Sequence, residues 1–100
     1  MNTTLLKMVV LVAEPVLEAR LVAELRELGA TGSTIVDGRG EGSRHGHATD
    51  VPGANVRIEA IVRPEVADRI MEHVAREYFT NFSFIAYVLD VSVARGAKYG

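Results

Sequence analysis

The chain reads as a small α+β domain, and three observations carry that reading. Two apolar strand-like segments, Leu5 to Ala13 and Val56 to Ile61, are each followed by a proline (Pro15, Pro64) and then by an amphipathic helical stretch. The two halves superpose under a shift of 49 residues, which places Pro64 on Pro15, Arg69 on Arg20, Ile70 on Leu21 and Val74 on Leu25. The last segment, Phe84 to Val93, is apolar on both faces of a strand. Together these give β-α-β twice over. That is the ferredoxin-like βαββαβ sandwich, a four-stranded antiparallel sheet with two helices on one face.

Each element has its own signal. Leu5 to Ala13 is rich in Val and Leu and is short enough for a buried strand. Leu17, Leu21, Leu25 and Leu28 recur at helical spacing and line one face, and Gly29 is a good stop. Ser33 to Asp37 reads as the second strand. Val56, Ile58 and Ala60 alternate with Arg57, Glu59 and Ile61, the period of a third. Val66, Ile70, Val74 and Tyr78 follow at spacing 4 after Pro64, and Thr80-Asn81 makes a turn. In the last strand Phe84, Ala86 and Val88 share one face, and Ile85, Tyr87, Leu89, Val91 and Val93 share the other. Two helices cover only one face of a sheet, so a second apolar face implies burial against another subunit. Closed symmetry is the default for such an assembly.

Composition narrows the function. The 100 residues fit a single domain, 1–100, and 48% are hydrophobic, which fits a folded rather than a disordered chain. A formal net charge of −2 leaves no basic footprint, so nucleic acid is not an expected partner. The absence of cysteine removes thiolate metal sites and disulfides and suits a reducing cytoplasm. The start has no basic leader, and the apolar run from Leu5 is shorter than the ~20 residues of a membrane span. These features predict a cytoplasmic protein.

The segment with a chemical signature lies between the halves. Five of the nine glycines fall within residues 38–53, as Gly38, Gly40, Gly42, Gly46 and Gly53, with Ser43 and Arg44 among them. Glycine permits positive φ and close approach of backbone to a ligand, and consecutive N–H groups in such a turn form an anion cradle. Arg44 beside Ser43 is the preferred phosphate ligand, and Arg39 reads as a bystander. The segment lacks the Lys-Ser/Thr of a P-loop and the following helix of a dinucleotide fingerprint.

Several stretches resemble the PII-like signalling proteins: Lys7-Met8-Val9-Val10-Leu11-Val12-Ala13-Glu14, Gly29-Ala30-Thr31-Gly32-Ser33-Thr34-Ile35-Val36, Gly38-Arg39-Gly40-Glu41-Gly42-Ser43-Arg44, and Tyr78-Phe79-Thr80-Asn81-Phe82. They resemble the first and second strands, the base of the T-loop (here about 38–53) and the B-loop. Within that family the chain is most similar to the bicarbonate-linked branch, the SbtB and carboxysome-associated PII proteins. The resemblance implies a homotrimer with adenine-nucleotide sites (AMP or ADP, also ATP or cyclic AMP) in the clefts between subunits. Thr34 would lie near the adenine. Gly40, Gly42, Ser43 and Arg44 would surround ribose and phosphates, with Arg57 and Glu59 on the neighbouring strand. Asn81, Phe82, Ser83, Phe84 and Ile85 would close the site, some through their backbone. It further implies bicarbonate near the phosphates and a T-loop that signals to a partner such as a bicarbonate transporter, at the membrane or the carboxysome. Two departures stand out: no cysteine-bearing C-terminal extension, and Glu14-Pro15 where relatives often carry a basic residue.

Other readings compete. His45 and His47 with Asp50 suggest a metal-binding trimer similar to the CutA family, although two histidines one residue apart on a loop make a poor pre-organised site. No nucleophile–base set or carboxylate pair marks an enzyme, and slow nucleotide hydrolysis is the alternative on that side. A structural interaction module without a small ligand is the fourth reading. His73, among Arg69, Glu72 and Arg76, reads as part of a solvated helix face. Phe82 and Phe84 read as core with a second candidate role beside adenine. Asp90 and Ser92 read as facing a subunit boundary, with Arg95 as the partner a buried carboxylate needs.

Overall fold

A computed structural model describes residues 2–41 and 53–99. The elements are β1 (Thr3–Ala13), a 3-10 turn (Pro15–Leu17), α1 (Glu18–Leu28), β2 (Thr34–Arg39), β3 (Ala54–Val62), α2 (Pro64–Tyr78), β4 (Phe84–Ala94) and α3 (Gly96–Tyr99). The strands form one sheet in the order β2-β3-β1-β4, with every pairing antiparallel. This is the expected ferredoxin-like arrangement, with β2 and β4 as opposite edges.

The sheet has two unlike faces. Val9, Leu11 and Ala13 of β1 and Val56, Ile58, Ala60 and Val62 of β3 point toward the helices. There they join Leu17, Leu21, Leu25, Val66, Ala67, Ile70, Val74 and Tyr78 in one buried cluster. Phe84 and Ala86 of β4 pack against it from the edge. Register assigns the other face: Val10 opposes Glu59 on one side and Tyr87 on the other, and Met8 opposes Ile61 and Leu89. Here Ile85 is 57% exposed, and Tyr87 and Leu89 are each 42% exposed. The four-residue α3 docks on this face at the Thr4 end of β1, and Ile85, Tyr87 and Leu89 remain exposed.

Several boundaries differ from the sequence reading. The first helix opens with a 3-10 turn at Pro15, whose missing N–H costs nothing at a helix start. The stretch Gly29–Gly32 is a connection, and β2 begins only at Thr34. Conversely β2 continues through Gly38 and Arg39, which pair with Asn55 and Ala54, so the loop leaves the sheet at Gly40. Asp90 stands on the helix-side face opposite Lys7, to which it is ion-paired. It is exposed beyond the helices, so its partner is Lys7 rather than Arg95 and no subunit boundary is needed to explain it.

The internal repeat is visible in the helix packing. His73 Nε2 and Glu24 Oε1 are 3.0 Å apart, and these residues are related by the shift of 49 found in the sequence. Arg69 reaches the end of α1, with Nη2 donating to the Leu28 carbonyl at 3.2 Å. Its counterpart Arg20 lies over the Tyr78 ring at the end of α2, 4.9 Å from the centroid. Cations at helix C-termini complement unsatisfied carbonyls, and the repeat places one at each.

Candidate functional site

The loop neck is built by glycine and backbone pairing. The Gly40 N–H donates to the Gly53 carbonyl at 2.8 Å, closing the neck just beyond the last β2–β3 pair. Gly53 has φ +78°, which disfavours any side chain. A Cβ at Gly38 would lie 2.5 Å from Asn55 Oδ1, so a side chain there would displace the Asn55 amide. Gly40 therefore sits where the sequence placed it, at the root of the loop. Gly42, Ser43 and Arg44 lie outside the described residues, as do His45, His47 and Asp50.

Next to this hairpin, on the uncovered face, lies a cavity of about 360 Å³ lined by Met8, Thr31, Gly32, Ser33, Thr34, Glu59, Ile61 and Lys98. Thr34 and Glu59 are cross-strand partners on that face. Met8 and Ile61 supply an apolar floor, and three hydroxyls, a carboxylate and an ammonium supply polar contacts around it. An apolar recess with a few convergent polar groups is the usual form of a small-ligand site. Arg57, opposite Val36, donates from Nε to Glu59 at 3.1 Å, so these two predicted residues pair with each other. Thr34, Arg57 and Glu59 are thus brought together. Lys98 joins the lining because the C-terminal α3 docks there, and Thr31 and Ser33 join it from the connection that leads into β2.

The remaining predicted residues stand elsewhere. Asn81, Phe82 and Ser83 lead from α2 into β4, which begins with Phe84 and Ile85 at the opposite edge of the sheet. Three strand spacings separate the edges, about 14 Å. The loop neck and this turn share one end of the sheet, since Ala13 pairs with both Val56 and Phe84. The turn is held from below. The Phe82 N–H donates to the Tyr78 carbonyl at 3.0 Å, and the Ser83 N–H donates to a Glu14 carboxylate oxygen at 3.3 Å. Phe84 stacks on Tyr78 with centroids 5.1 Å apart, and Phe82 meets the same ring edge-on at 5.7 Å. Both phenylalanines are half-buried against the core, so packing accounts for their rings.

Beneath the turn lies a polar cluster that the sequence reading missed. Glu24 accepts from the Tyr78 hydroxyl, from Arg20 Nε at 3.2 Å and faces His73 at 3.0 Å. His73 is therefore engaged between the helices and not part of a solvated face. Burial raises the Glu24 carboxyl, but hydrogen bonds from Tyr78, His73 and Arg20 outweigh it and leave the pKa below its ordinary value. Tyr78 is pushed well above the usual phenol range by burial and by donation to Glu24. The shift of 49 sets His73 on Glu24, which relates the two positions but does not by itself show that they touch. Among the described residues no group of three or more His, Cys, Asp or Glu side chains could hold a metal ion, and no helix is long and apolar enough to cross a membrane.

These features define a ferredoxin-like domain with a glycine-necked β2–β3 loop, a recess beside it and a sheet face that keeps exposed apolar residues. The chain belongs to the nitrogen regulatory protein P-II family, whose model matches residues 6–98. It is similar over its full length to a crystal structure of a Thermus thermophilus protein assigned to the PII-like signalling proteins, at 50% identity, TM-score 0.87 and 100% coverage of both chains. It is also similar to CPII of Thiomonas intermedia. The complex of that protein with ADP and bicarbonate matches at 26% identity and TM-score 0.84, covering 99% of this chain and 98% of the other. A complex of CPII, a nitrogen regulatory PII-like protein, with ADP, AMP and bicarbonate matches at 25% identity and TM-score 0.75, covering 94% and 100%.

Proposed function

We propose that this PII-family protein is a trimeric sensor that binds AMP or ADP, together with bicarbonate, in clefts between its subunits. The observation that carries this reading is the division of the candidate ligand residues between opposite edges of one sheet. Thr34, Arg57, Glu59 and the Gly40 neck lie on the β2–β3 side, and Asn81 to Ile85 lie on the β4 edge. An exposed apolar face runs between them. Apposing the β4 edge of one subunit to the β2–β3 side of another would cover that face and complete a site from both sets. The recess lined by Thr34 and Glu59 would take the adenine, and the phosphates would run toward Gly40, Gly42, Ser43 and Arg44. The binding of ADP, AMP and bicarbonate by CPII supports the choice of ligands.

In this reading the output is the loop that leaves the sheet at Gly40 and returns at Gly53. A ligand at its neck shifts the loop between a partner-binding and a non-binding state by its differential affinity for the two. The partner we favour is a membrane bicarbonate transporter, as for the SbtB branch, with the carboxysome as the alternative setting. The role is regulatory and not catalytic. Calorimetric titration with AMP, ADP, ATP and cyclic AMP, with and without bicarbonate, tests the ligand assignment. Binding of at least one nucleotide is expected, and no heat at millimolar concentration overturns the reading. Arg44→Ala should weaken ADP binding by about 1.5–3 kcal/mol, the worth of a charged hydrogen bond. Unchanged affinity would remove Arg44 from the site.

A further inference from the structure

Glu14 has a position that the nucleotide reading does not use. It follows β1 directly, at the end of the sheet shared by the loop neck and the turn before β4. Its carbonyl accepts from the Leu17 N–H at 3.0 Å and Pro15 follows it, so its backbone is fixed by the start of the first helix. The half-buried side chain then crosses to the turn, where a carboxylate oxygen accepts from the Ser83 N–H at 3.3 Å.

That contact has a chemical meaning if the turn closes a phosphate site. A backbone N–H in such a turn is a natural donor to a phosphate oxygen. Phe82 directs its N–H back into the helix, to the Tyr78 carbonyl. Ser83 offers the next N–H, and a carboxylate of this same chain already takes it. The carboxylate also brings a negative charge to the place where a ligand's phosphate charge would accumulate. The cost of a like charge grows with the charge of the ligand, so it falls more heavily on a longer phosphate chain.

We infer that Glu14 is a specificity-determining residue of the nucleotide site: its carboxylate occupies the Ser83 amide and selects against ligands of higher phosphate charge, favouring AMP over ATP. This rests on the nucleotide-sensor reading above and extends it to the order of affinities. Like-charge juxtaposition of this kind discriminates by repelling the wrong ligand rather than by improving the right one.

The test is calorimetry of AMP, ADP and ATP, each without divalent cations, on the unmodified protein, on Glu14→Gln and on Glu14→Ala. Glutamine keeps an acceptor oxygen for Ser83 and removes only the charge. The expected result is ATP affinity raised more than AMP affinity in Glu14→Gln, so that the ATP-to-AMP affinity ratio increases by roughly threefold or more. A residue that merely held the turn would behave otherwise. Glu14→Gln would then match the unmodified protein, Glu14→Ala would weaken all three nucleotides equally, and the ratio would stay constant. A constant ratio overturns the assignment while leaving the sensor reading intact. Absence of binding by all three nucleotides to the unmodified protein overturns both.

Discussion

The two faces of the sheet are made from the same kinds of residue yet are finished differently. On the helix side Leu11, Ile58, Ile70 and Tyr78 are wholly buried, and the layer is closed within one chain. On the other side Ile85, Tyr87 and Leu89 are large, apolar and exposed, and a recess with hydroxyl and charged groups opens beside them. The first face accounts for the fold of the subunit. The second is surplus to that fold, and apolar surface surplus to a fold marks a place of contact. Separating stability from function in this protein therefore means separating one face from the other.

The covered face should be the more costly to disturb. Ile70→Ala removes a fully buried side chain at the centre of the helix layer and should lower unfolding free energy by about 2–5 kcal/mol, read by chemical denaturation. A loss under about 1 kcal/mol would mean that the layer is not the main support of the subunit.

The polar cluster at the edge of that layer should matter less and should be sensitive to pH. Tyr78→Phe leaves the ring stack with Phe84 and removes the donor to Glu24, at a cost of about 1–3 kcal/mol. Glu24 has a lowered folded pKa, so its contribution is present above the ordinary carboxylate value of about 4.3 and is lost as pH falls through the lower folded value. Tyr78 has a raised pKa, so its contribution is present below about pH 10 and fades as pH rises beyond it. Denaturation midpoints across pH should therefore fall at both ends. Glu24→Gln should flatten the acid limb, and an unchanged acid limb would contradict the assigned bonds.

The uncovered face should show the smallest effect on the isolated subunit and the clearest one on assembly. Leu89→Asp places a charge at an exposed position, where substitutions usually change subunit stability by no more than about 0.5 kcal/mol. Sedimentation velocity should nonetheless show the unmodified protein as a trimer and this variant as a monomer. A variant that still sediments as a trimer would place the contact elsewhere.

How much of this was legible in the sequence follows from how local each signal is. β1, β3, β4 and α2 read correctly because their periodicity is set by burial on a strand or helix face, which the chain carries within itself. The ends of β2 did not, since Gly38 and Arg39 look like loop by composition and become strand only through pairing with Asn55 and Ala54. Thr34, Arg57 and Glu59 were candidates through resemblance alone, and the structure places them near one another on neighbouring strands. Lys98 went unread because its place at the recess depends on how the distant C-terminal segment docks, and Thr31 and Ser33 because nothing in their composition separates a lining hydroxyl from a connecting one. His73 looked solvated among charged neighbours, yet its partner Glu24 lies on the other helix at the equivalent position of the repeat. The tertiary meaning of the repeat was visible once the shift was known, and the hydrogen bond was not.

The central claim is that the ligand site is completed between subunits across the uncovered face. Calorimetric titration of ADP into Leu89→Asp, beside the unmodified protein, tests it most directly. The account predicts saturable binding to the unmodified protein and at least roughly a tenfold loss of affinity in the monomeric variant, about 1.4 kcal/mol. Equal ADP affinity in a variant shown to be monomeric would contradict it.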